Sequence, residues 1–99
     1  MKLAIKKAWI TKLRSGRYKQ TKNILKNKTG YCCLGVLRTC LPAKFKNSEG
    51  FDCGEGNGLL TRSAYDAAGL HHSTGGTLAN MNDNDHTFNE IANYIEKRL

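Results

Sequence analysis

The sequence predicts an α+β domain of about four helices packed with a small antiparallel sheet or hairpin, and three observations carry that reading. Apolar residues recur at helical spacing near the start, in the middle and at the end of the chain. A capping-box signature stands at Thr87-Phe88-Asn89-Glu90. Between the central and final helical patterns, two short runs flank a turn-forming tetrapeptide in a glycine-rich stretch. With 99 residues and neither repeats nor a proline-rich linker, the chain reads as one domain over residues 1–99.

Lys2 to Arg14 is predicted to form the first helix. Ile5, Trp9 and Leu13 repeat at i+4 with Ala8 beside them, and Gly16 is placed to stop it. Lys2, Lys6, Lys7, Lys12 and Arg14 take much of the remaining surface. Arg17 to Lys28 alternates basic and polar residues around Tyr18 and Ile24-Leu25, a pattern of loop or short extended structure ending in a turn at Asn27-Lys28-Thr29-Gly30. A second helix is predicted from about Cys32 to Leu41, with Cys33, Val36, Leu37 and Cys40 as its stripe and Pro42 as its stop. It is apolar nearly all round, which marks a central buried helix. Gly35 costs such a helix about 1 kcal/mol relative to Ala, so it is expected where another backbone packs closely.

Ala43 to Lys46 and Phe51 to Cys53 are predicted to pair as a hairpin across Asn47-Ser48-Glu49-Gly50. A short third helix follows from Arg62 to Ala68, with Gly69 and Leu70 suited to a Schellman stop. The last helix begins at the Thr87 capping box. Phe88, Ile91, Ala92, Ile95 and Leu99 form its stripe, and Lys97 and Arg98 sit near the negative end of its dipole.

Charge is the most informative bulk property. Residues 1–46 hold thirteen Lys and Arg and no acid, whereas residues 47–99 hold three basic residues and all eight acids. The two parts thus carry +13 and −5 of the net +8. A purely structural surface mixes signs to limit self-repulsion, so the basic half points to an anionic partner. No apolar run approaches the roughly 20 residues that span a bilayer, and no membrane partner is expected. Lysines break the first apolar residues too early for the core of a signal peptide, which points to a cytoplasm. Cys32, Cys33, Cys40 and Cys53 then read as reduced, partly buried thiols.

Three catalytic or metal-binding constellations point less strongly than plain binding. The cysteines and His71-His72 lack zinc-ligand spacing. Cys32 or Cys33 at a helix start, with His71, His72 or His86 as base and Asn82 or Asp83 to orient it, outlines a papain-like thiol hydrolase or transferase. Met81-Asn82-Asp83-Asn84-Asp85-His86 fails the calcium-loop pattern, since the sixth and twelfth positions from Asp83 are Phe88 and Tyr94. It reads instead as a turn into the Thr87 cap. No metal and no cofactor is expected.

The ligand-binding candidates are Arg14, Arg17, Tyr18, Lys19, Gln20, Lys22, Asn82 and Asp83. Arginine forks suit phosphate, a tyrosine ring stacks on a base, and amides read polar edges. No phosphate-binding loop, dinucleotide fingerprint or RNA-recognition motif occurs, and a helix-turn-helix is not evident.

Trp9, Leu13, Ser15-Gly16, Tyr18 and Gln20, then Tyr31-Cys32-Cys33-Leu34-Gly35-Val36-Leu37, then Met81-Asn82-Asp83, then Phe88, Glu90-Ile91-Ala92 and Tyr94-Ile95-Glu96 form a pattern that resembles small bacteriophage-encoded accessory proteins of unassigned function. The resemblance implies action in the cytoplasm of an infected bacterium. By analogy with phage proteins that counter host defence, it implies a non-catalytic, homo-oligomeric binder that sequesters a nucleotide immune signal. Nucleic-acid binding through the basic half is the second expectation. A thiol enzyme and an inhibitor docking on a host defence protein are the others.

Overall fold

Helices dominate the computed structural model, which describes residues 1–42 and 60–99. They are α1 (Leu3–Arg14), α2 (Cys33–Arg38), α3 (Arg62–Ala68), α4 (His72–Asp83) and α5 (Phe88–Arg98). α1 lies against α5 and α2, α2 against α4, and α4 against α3 and α5. The core sits where these helices meet around α2, whose residues Cys33 to Leu37 are all buried.

α1 buries Trp9 and Leu13 as its periodicity requires, but Ile10 completes the face and Ala8 is exposed. The Trp9 indole N–H donates to the Cys33 carbonyl at 2.9 Å, which pairs a buried donor and ties α1 to α2. α2 is shorter than its stripe suggests. The Thr39 hydroxyl donates to the Val36 carbonyl at 2.6 Å, and Cys40 and Leu41 continue in tighter turns with N–H groups bonded three residues back. Gly35 stands where a second backbone approaches: a Cβ there would lie 1.8 Å from the Leu25 carbonyl oxygen.

The two predicted caps are present. Gly69 is left-handed, its N–H bonds to Asp66 O, and the Leu70 N–H reaches Tyr65 O, which is the Schellman pair. At α5 the Thr87 hydroxyl accepts from Glu90 N–H at 3.1 Å, and the Glu90 carboxylate accepts from Thr87 N–H at 2.8 Å.

The α+β expectation is corrected: the architecture is helical, with no strand among the described residues. The expected hairpin of residues 43–46 and 51–53 lies outside them. Extended chain in the basic loop pairs only as isolated bridges, Gln20 with Tyr31 in parallel and Lys26 with Tyr31 antiparallel. Tyr31 serves both bridges, and neither continues into a ladder.

The second correction is α4. Residues 81–86 were expected to turn into the Thr87 cap, yet Asn82 and Asp83 are helical and only the residues after Asp83 turn. Its local signals are weak because it contains Gly75 and Gly76 and is capped by a histidine, whose Nδ1 accepts from Ser73 N–H at 3.2 Å. Packing overrides propensity there. A Cβ on Gly75 would lie 2.3 Å from the Tyr65 ring, so the glycine that weakens the helix lets α4 close on α3.

Candidate functional site

The basic segment after α1 is a folded loop held by its own backbone. Tyr31 N–H donates to Lys19 O at 2.8 Å, and Tyr31 O accepts from Thr21 N–H at 2.7 Å. The Asn27 side chain accepts from Thr29 and Gly30 N–H, closing the turn that returns the chain to Tyr31. Leu25 is buried and anchors the loop on α2. The Tyr18 and Tyr31 rings meet edge to face at 5.0 Å, and the Lys26 ammonium lies 5.4 Å from the Tyr31 ring centre.

Asn82 joins this loop to the helices. Fully buried, it accepts through Oδ1 from Gln20 Nε2 at 2.9 Å and Cys33 N–H at 3.2 Å. Its Nδ2 donates to Thr21 O at 2.8 Å. Gln20 Nε2 also donates to His86 O at 2.7 Å, and Asp83 Oδ1 accepts from Asn23 N–H at 2.9 Å, where Asn23 has a φ of 65°. The C-terminal end of α4 thus acts as a clamp that sets the loop's shape.

Two shallow clefts flank Gln20. The first, about 230 Å³, is lined by Leu13, Arg14, Gly16, Tyr18 and Gln20 on one side and Thr87, Phe88 and Asn89 on the other. The second, about 180 Å³, is lined by Gln20, Lys22, Asp85 and His86. Asn89, Asn93 and Glu96 share a face of α5 at helical spacing. Along it the Arg14 guanidinium donates to Asn93 Oδ1 at 2.7 Å and meets both Glu96 carboxylate oxygens at 3.2 and 3.3 Å. That guanidinium holds the Glu96 carboxyl below its ordinary range. Lys22 pairs with Asp85 in the second cleft and likewise lowers its carboxyl.

Of the eight expected ligand residues, the structure brings Arg14, Tyr18 and Gln20 to one cleft and Lys22 to the next. Arg17 and Lys19 are exposed and line neither cleft; Asn82 lies buried beneath Gln20, and Asp83 holds the loop backbone. Sequence reading missed Thr87 and Asn89 as cleft residues, and Asp85 and His86 beside Lys22. The capping box locates the start of α5, but nothing local says that it faces Arg14.

Two of the thiols, Cys32 and Cys33, are buried. Cys33 is completely buried with its Sγ 3.4 Å from Leu78 O, and burial pushes its pKa well above the ordinary 9.0. Burial also raises Cys32. Cys53 lies outside the described residues. Among those residues, no three His, Cys, Asp or Glu side chains gather as a metal site would require, and no helix is long and apolar enough to cross a membrane.

Among known proteins, the family model described as Domain of unknown function (DUF8296) matches residues 1–53. No curated protein and no solved structure matches.

Proposed function

We propose that this chain, which belongs to the DUF8296 family, is a non-catalytic binder of a phosphate-bearing ligand, with a nucleotide as the occupant of the first cleft. One observation carries the reading: Arg14 at the end of α1, and Tyr18 and Gln20 from the loop after it, border the same cleft as Thr87 and Asn89. A guanidinium supplies charge and paired donors for phosphate, the half-buried Tyr18 supplies an aromatic ring for a base to stack on, and amides and a hydroxyl read polar groups. The setting implied by the phage resemblance makes sequestration of a nucleotide immune signal the favoured version. Titration calorimetry against a panel of cyclic and linear nucleotides tests it. Binding without turnover, weakened roughly tenfold by Tyr18→Ala as the loss of one stacked base requires, is expected. A panel in which nothing binds overturns the reading.

A second reading, nucleic-acid binding, is favoured by different residues. Arg17, Lys19, Lys26 and Lys28 are exposed on the same loop and none forms an ion pair with a described residue. Polymer binding through them weakens steeply with salt, in proportion to the phosphates contacted, whereas a compact ligand in a cleft shows a shallower slope.

A further inference from the structure

Resting on the nucleotide reading of the same site, we infer that the ligand spans both clefts and consists of two phosphate-linked nucleotide units rather than one. The clefts are neighbours, because Gln20 lines each of them. At about 230 and 180 Å³, both fall below the roughly 300–1,000 Å³ of pockets that enclose small molecules. A ligand held by only one of them would leave much of its surface in water.

Each cleft also has its own cation, Arg14 in the first and Lys22 in the second. Each cation rests against an exposed carboxylate, Glu96 or Asp85. Exposed ion pairs of this kind are weak and exchangeable, so a ligand phosphate can take the carboxylate's place at small cost. The divider between the clefts is fixed. Gln20 is held by His86 O and by Asn82, itself fully buried and bonded to α2 and the loop. Both N–H groups of this amide are engaged, so between the two cation-bearing hollows it offers its oxygen, an acceptor for a ribose hydroxyl or base N–H beside the linkage, while Arg14 and Lys22 meet the phosphates.

Linking two units makes the second contact intramolecular, which raises affinity without any new group on the protein. Titration calorimetry on the full chain with adenine and guanine mononucleotides, and with the matching linear and cyclic dinucleotides, reads this directly. A dinucleotide is expected to bind roughly a hundredfold tighter than its mononucleotide. Lys22→Ala is expected to lower dinucleotide affinity most of the way to that of the mononucleotide. Asp85→Asn, which removes the resident competitor, is expected to tighten dinucleotide binding. Equal affinity for mono- and dinucleotides overturns the two-cleft inference and leaves the nucleotide reading standing. Binding of neither overturns both. Affinity for single-stranded oligonucleotides that keeps rising with length beyond two units also overturns it, in favour of a polymer.

Discussion

Gln20 and Asn82, 62 residues apart in sequence, share a hydrogen bond of 2.9 Å that joins the basic loop to the end of α4. The bond matters because Asn82 is fully buried and also serves the backbone of Cys33 and Thr21. Asn82→Ala strands an N–H and a carbonyl away from water, and each such group costs about 1–3 kcal/mol. A loss of roughly 2–4 kcal/mol in urea unfolding is expected. Asn82→Asp should not rescue it, since a carboxylate has no N–H for the Thr21 carbonyl. Unchanged unfolding midpoints for both variants would show that the clamp is dispensable.

The two glycines of α4 should respond with opposite sign. Gly75→Ala adds a methyl 2.3 Å from the Tyr65 ring and is expected to destabilise by about 1–3 kcal/mol despite its better helix propensity. Gly76 has open space at that position, so Gly76→Ala should stabilise by up to about 1 kcal/mol. Thermal melts of the pair compare them directly. Equal shifts would mean that α4 does not pack on Tyr65 as described.

Acid should weaken the fold through its carboxylates. The Thr87 backbone N–H holds Glu90 below its ordinary 4.5, Arg14 does the same for Glu96, and Lys22 lowers Asp85. A folded value lower than the unfolded one contributes stability that is present above the ordinary value and lost as pH falls through the folded one. The melting temperature is therefore expected to fall more steeply below pH 4.5. Glu90→Gln keeps a neutral acceptor for Thr87, so its deficit relative to the parent should be largest at neutral pH and shrink in acid. A deficit constant from neutral pH down to about pH 3 would remove Glu90 from this account.

Burial raises both Cys32 and Cys33, and Cys33 has no exposed surface. Alkylation of these two in the native protein at neutral pH is expected to be slower than that of a free cysteine peptide. Peptide mapping after iodoacetamide separates them from Cys40, which is half-buried. Fast, selective labelling of Cys32 or Cys33 would instead favour the thiol-enzyme reading.

Much was legible from local pattern. Both terminal helices, the buried α2, the Schellman end of α3 and the capping box of α5 are set by neighbours a few residues apart, and each formed, α2 ending three residues short of the expected Leu41. Gly35 as a site of close backbone approach was legible for the same reason: a glycine inside an apolar helix needs a partner, and Leu25 supplies it.

What the chain determined by itself was thus the helix periodicity, the caps and the uneven distribution of charge, because these depend on residue order alone. Tertiary structure decided the rest. It made a helix of His72–Asp83, where two glycines and a histidine cap argue weakly in isolation but packing on Tyr65 outweighs propensity. It also turned Asn82 inward and left Arg17 and Lys19 outward, although the sequence offered all three alike as ligand residues. The physical reason is that a polar side chain's role depends on which hydrogen-bonding partners the fold brings within about 3 Å of it, and those of Asn82 come from loop and helix segments far away in the chain.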